Sequence, residues 1–189
     1  MKPSSAPICI LLTGYSGSGK TTIADTFSNQ LSNQGIINYV LDGDRIRSRL
    51  NYDLGFTKQD RSENLRRISE IAVMMLEAHV TVIISVIAPY RDDRDKIRGL
   101  MKHFRYIEVF LDTSIECCIS RDPKSLYKKT HDGILTNFTG IDSPYEPPTN
   151  PDIRLNTEIL SIENCCDILH EHYKNSPNNR KSTFKLPTN

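Results

Sequence analysis

The stretch Gly14-Tyr15-Ser16-Gly17-Ser18-Gly19-Lys20-Thr21 fits the pattern G-x-x-x-x-G-K-[ST] without a mismatch. A loop of this kind handles polyphosphate. Its glycines let backbone N–H groups close around phosphate oxygens. A helix starting at its end points partial positive charge at the same oxygens. The Lys20 ammonium can reach the β- and γ-phosphates, and the Thr21 hydroxyl can ligate Mg²⁺. The flanks agree. Residues 8–13 (ICILLT) read as a strand buried on both faces, and 20–34 as a helix ended near Gly35. A Gly/Ser-rich turn that matched by chance would carry neither flank. The pattern points to nucleotide binding and leaves the acceptor open.

A second cluster follows the apolar run INYVL (37–41). Asp42 and Asp44 are spaced i, i+2, which in an extended chain sends both carboxylates to one side. They fall beyond a strand's C-terminal end, where open α/β sheets bind ligands. Such a pair can hold Mg²⁺, orient a hydroxyl or accept its proton. The same residues also suit an Asp-Gly turn with an N-cap for the next helix. Arg45, Arg47, Arg49, Arg61, Arg66 and Arg67 come next, interleaved with Asn51, Asn64 and Phe56. Guanidinium groups make paired contacts with phosphate or sulfate oxygens, and a flat aromatic suits a base. The combination describes an acceptor that is itself a nucleotide-like anion. Solvated helix faces account for about half of these arginines, and an isolated Phe is more often core. Asp112 ends the run YIEVFL (106–111) and imitates a Walker B aspartate, so it stands as an alternative metal-side carboxylate.

The elements that must position these groups alternate along the chain. Further strands are expected at 80–87, 106–111 and 152–156. Helices are expected from about Arg61 to Ala78, over 92–101, near 114–120 and over 159–173. Asp60 with Glu63 gives the first of these a capping-box start. The alternation argues an α/β fold: a parallel sheet with right-handed crossovers and helices on both faces. Residues 1–174 read as one domain. Five prolines and two glycines break the pattern over 121–151, and a loop of that length reads as a lid. Residues 175–189 are polar and read as a disordered tail.

Composition removes several function classes. The chain has 189 residues, 38% hydrophobic and 25% charged, with a formal net charge of +1. That balance argues against nucleic acid and membrane surfaces as partners. No apolar run reaches the roughly 18–20 residues that span a bilayer. The five cysteines include no C-x-x-C spacing and read as buried reduced thiols, which fits a reducing, cytoplasmic compartment. The five histidines share no metal-ligand spacing. Homodimerisation is left open.

The segments LDGDRIR, DLGFTKQDRSEN, PYRDDRD, IEVFLD, RDPKSLYKK and NFTGIDSPYEPP together resemble the adenylyl-sulfate kinase family, in order, from about Ile8 to Leu155. The resemblance implies a P-loop NTPase-type fold and transfer of the γ-phosphate of ATP to the 3′-hydroxyl of adenylyl sulfate, with Mg²⁺. It implies catalytic roles for Lys20, Asp42 and Asp44. It implies ATP contacts at Gly14, Ser16, Gly17, Ser18, Gly19, Lys20, Thr21 and Thr22, with Arg121 and Leu160 near the adenine and Thr21 on the metal. It implies that Asp44, Arg47, Phe56, Arg61 and Asn64 hold adenylyl sulfate. Ile87, Ala88, Lys124, Asn137 and Phe138 would complete that pocket. Departures from the family pattern are Arg45 for Asn, His79 and Ser125 for glycines, and Ala88 for a serine. Ala88 cannot carry a phosphoryl group, and strand parity sets Ser85 on the face opposite Ala88. Direct in-line transfer is therefore expected.

Overall fold

The computed structural model describes residues 6–175. The strands are β1 (Ile8–Thr13), β2 (Asn38–Asp42), β3 (Thr81–Ser85), β4 (Arg105–Leu111) and β5 (Ile153–Leu155). They form one sheet in the order β2-β3-β1-β4-β5, with every pairing parallel. Helices α1 (Lys20–Asn33), α2 (Gly43–Arg47), α3 (Lys58–Glu77), α4 (Arg91–Leu100), α5 (Ile115–Arg121), α6 (Leu126–His131) and α7 (Ile162–Asn175) connect and follow them.

The two-residue period of β1 builds the core on both sides. Ile8, Ile10 and Leu12 pack with Phe27 and Leu31 of α1 and Leu169 of α7. Cys9 and Leu11 face the other way, into Ile68, Ala72 and Leu76 of α3 and Ile97 of α4. Phe27 is fully buried, so truncating it to Ala should cost about 3–5 kcal/mol. β1 lies between β3 and β4, so the crossovers diverge at its C-terminal end and open a crevice there.

The structure corrects several local expectations. α3 begins at Lys58, three residues early, because Thr57 and Asp60 form the capping box rather than Asp60 and Glu63. β3 ends at Ser85, and Ala88 then turns to φ 45°, so strand parity does not relate the two. Ser85 and Ala88 line the same cavity. α6 arises inside the segment expected to be a lid. The Asp122 carboxylate accepts the amides of Leu126, Tyr127 and Lys128, which caps a helix too short to show periodicity. His79 and Ser125 both adopt left-handed backbone, with φ 63° and 53°, a conformation that glycine takes without cost. The tail expected at 175–189 lies outside the described residues beyond Asn175.

Candidate active site

The phosphate loop leaves β1 and enters α1. Gly17 and Gly19 have φ of 80° and 95°, and a Cβ on Gly17 would sit 2.9 Å from the Cys118 carbonyl oxygen. The loop therefore requires glycine at 17 for space as well as for conformation. Lys20 folds back along it, and its Nζ donates to the carbonyls of Gly14 (2.9 Å) and Tyr15 (2.6 Å). Burial pushes the Lys20 ammonium down to about 8.

β2 delivers Asp42 to the rim of the loop. Its Oδ1 accepts the amides of Asp44 and Arg45, each at 3.1 Å, and its Oδ2 accepts the Thr21 hydroxyl at 2.9 Å. Asp42 is thus both an N-cap and a neighbour of the phosphate loop. The i, i+2 argument fails in its premise, since Asp44 already lies in α2. The turn of the helix nevertheless leaves both residues on one cavity wall. Asp44 pairs with Lys124, which reaches across from the segment before α6.

On the far side, Arg47 and Arg61 bracket an exposed ring. Their guanidinium carbons lie 4.9 and 5.5 Å from the centre of Phe56, which is 45% exposed. Arg61 also donates to the Phe56 carbonyl (3.0 Å) and to the Asn137 carbonyl. Arg47 donates to the Gly55 carbonyl at 2.7 Å. Burial pushes both guanidinium groups below the usual arginine range, and for Arg47 the nearby Arg61 charge adds to the effect. An anion placed between them would relieve that cost. Asn64 is buried and accepts from Asn51 at 3.0 Å.

These groups converge on one cavity of about 780 Å³. Ser16, Gly17, Gly19, Lys20, Thr21 and Thr22 line it, with Arg121 and Leu160, and Thr157 links Arg121 to the Ser18 carbonyl. Asp42 and Asp44 line the same cavity, as do Arg47, Phe56, Arg61 and Asn64. Ile87, Ala88, Lys124, Asn137 and Phe138 also line it. Two residues expected at the nucleotide are not on the wall. The Ser18 side chain is fully buried, and a Cβ on Gly14 would press on Leu111. Asp112 is absent from the lining too. It pairs with Arg154 at 3.1 Å, so the Walker B alternative lacks support here.

Several residues that shape the site were given no role from the sequence, although Arg94 and Tyr127 fall within segments quoted above. Arg94, 2% exposed, donates to the Ala88 carbonyl (2.6 Å) and the Glu146 carbonyl (2.6 Å) and pairs with Glu108 at 3.1 Å. It ties the acceptor-side wall to the end of the 121–150 segment. The Tyr127 hydroxyl donates to the Ser16 carbonyl at 2.9 Å, and its ring meets Phe138 edge-on at 4.9 Å. Thr157 also lines the cavity. The contacts of Arg94 with Glu146 and of Tyr127 with Ser16 join residues far apart in the chain, so no local pattern shows them.

Known proteins are similar to the chain over most of its length. A family model described as Adenylylsulphate kinase matches residues 6–156. The chain is similar to an adenylyl-sulfate kinase of Clostridium kluyveri, at 46% identity over 158 residues, 84% of this chain and 79% of the relative. It is 48% identical over 165 residues to an adenylyl-sulfate kinase of Vibrio vulnificus, covering 87% of this chain and 80% of that one. The solved structure of the Mycobacterium tuberculosis APS kinase in complex with AMPPNP and APS superposes with a TM-score of 0.87 at 40% identity. That match covers 89% of this chain and 98% of the other.

Proposed function

Because the chain belongs to the adenylylsulphate kinase family and is an ATP-dependent kinase of adenylyl sulfate, we propose that Lys20, Asp42 and Asp44 carry its transfer step. The observation that carries this reading is the shared cavity, which joins a phosphate loop to a pocket built for a nucleotide-like anion. ATP lies along residues 14–22 with its γ-phosphate toward Lys20. Adenylyl sulfate lies against Phe56, with its phosphosulfate between Arg47 and Arg61 and its 3′-hydroxyl toward Asp44.

The two aspartates divide the work. Asp42 already caps α2 and holds the Thr21 hydroxyl, so it serves the phosphate side. The Thr21 hydroxyl and the Asp42 carboxylate are hard oxygen donors that fit Mg²⁺, and they would hold it with phosphate oxygens and water. A Mg²⁺ held by these residues would neutralise phosphate charge. Asp44 is the freer carboxylate, with its side chain 68% exposed, and among the described residues it pairs with Lys124 alone. It orients the acceptor hydroxyl and takes its proton. Lys20 draws charge from the transferring phosphoryl. Positioning and electrostatics supply most of the rate in such transfers.

In Asp44→Asn the shape is kept and the proton acceptor is lost. Steady-state kinetics should show kcat reduced about 10²–10⁴-fold, the usual range for one acid–base group, with the ATP KM nearly unchanged. A kcat within threefold of wild type would remove Asp44 from the transfer step.

A further inference from the structure

One hydroxyl in the turn between β5 and α7 has all of its hydrogen-bonding capacity committed to the nucleotide end of the cavity. Thr157 Oγ1 donates to the Ser18 carbonyl of the phosphate loop at 3.0 Å. A threonine hydroxyl has one proton and two lone pairs. Its other two contacts must therefore be accepted ones. They come from Arg121 Nη1 at 2.9 Å and from the Thr113 hydroxyl at 2.8 Å. Arg121 adds a second bond, from Nη2 to the Thr157 carbonyl at 2.7 Å, so one residue grips its guanidinium at two points. The turn that carries Thr157 is itself fixed, because the Glu158 carboxylate accepts the Ser114 amide at 2.6 Å.

We infer that Thr157 is a positioning residue for ATP: it sets the phosphate loop and Arg121 at one fixed spacing, so that both ends of the nucleotide meet preformed contacts. The inference rests on the ATP-side reading of Arg121 given above. Long nucleotides gain affinity when separate contacts are held in register before binding, because less ordering remains to be done on association. No other hydroxyl among the described residues bonds to both Arg121 and the phosphate loop. The acceptor pocket has its own supports in Arg94 and Asn51, so a defect at Thr157 should be confined to ATP.

The test uses the full chain with Thr157→Val and Thr157→Ser, and measures KM for ATP and for adenylyl sulfate separately. Val keeps the shape and removes the hydroxyl, while Ser restores it. Val should raise the ATP KM roughly tenfold, the loss expected for one hydrogen bond to a charged group. It should leave the adenylyl sulfate KM within twofold, and Ser should recover most of the loss. An unchanged ATP KM in Val, or an equal rise in both KM values, would overturn the proposal, as would failure of Ser to rescue. If Val unfolds, Ser alone decides: near-wild-type ATP binding supports the hydroxyl's role, and a defect as large as that of Arg121→Ala refutes it. Arg121→Ala separates the two levels of the argument. If that variant leaves the ATP KM unchanged, the ATP-side reading of Arg121 fails, whatever Thr157 does.

Discussion

At the scale of single residues, the chemistry rests on groups held away from their comfortable state. Lys20 is pushed down to about 8 by burial, well below the ordinary lysine value of 10.5. Between those two values the unfolded chain binds more protons than the folded one. Stability from this group is therefore lowest below about pH 8 and recovers as pH rises toward 10.5. Lys20→Met should accordingly be at least as stable as wild type at pH 7 in thermal melts, and inactive. For binding the sign is opposite, since only the charged form meets phosphate well. The kcat/KM for ATP, which reports the free enzyme, should fall as pH rises through about 8. Lys20→Arg should lose that limb, because arginine does not titrate there. A flat profile in wild type from pH 7 to 9 would contradict the assignment.

Phe56 and its two arginines make a second residue-scale case. Base–aromatic stacking is worth on the order of 1–3 kcal/mol, so Phe56→Ala should raise the adenylyl sulfate KM about ten- to a hundredfold and spare ATP. The stacked geometry adds a further expectation. Removing the ring also frees Arg47 and Arg61, so Phe56→Ala and Arg61→Ala should be non-additive by about 0.5–3 kcal/mol in a double-mutant cycle. Additivity within error would mean that ring and guanidinium act independently.

At the scale of elements, what was legible in the sequence was what repeats. Apolar runs and helical spacing gave the five strands and the longer helices, because burial on two faces leaves a continuous signature. α6 was not read as a helix, and α2 only as the helix that an aspartate N-cap would open, since five or six residues show less than two turns. The phosphate loop was legible because its chemistry is local. Arg94, Tyr127 and Thr157 were not, because each acts through partners far along the chain. Ser85 was misplaced by extending β3 beyond its end. The segment over 121–150 takes its order from a few contacts. The Asp122 carboxylate holds three amides of α6, and Tyr127 and Phe138 form a small cluster with Cys118. Asp122→Ala should loosen this segment alone. Limited proteolysis should then cut within 121–150 several times faster, with little change in Tm, and the KM for adenylyl sulfate should rise. ATP with adenylyl sulfate should restore protection. Cleavage that is equally fast with and without both ligands would count against closure of this segment over the substrates.

At the scale of the whole molecule, the sheet order places a crevice at the end of β1, and the cavity lining includes Lys20, Asp42 and Asp44, the residues proposed for transfer. No helix among the described residues is long and apolar enough to cross a membrane. In the proposed placement both nucleotides share this cavity, so the acceptor hydroxyl would meet the γ-phosphate directly, and Ala88, on its lining, offers no hydroxyl to carry it in between. The most direct test follows the label of γ-labelled ATP. The protein is mixed with this ATP, Mg²⁺ and either adenylyl sulfate or its 3′-deoxy analogue, quenched in acid at short times, and separated into protein and small molecules. Direct transfer to the 3′-hydroxyl predicts label in a product one phosphate heavier than adenylyl sulfate, none with the 3′-deoxy analogue, and none on the protein. Label on the protein that chases into product, on Ser85 or elsewhere, or label passed to the 3′-deoxy compound, would contradict it.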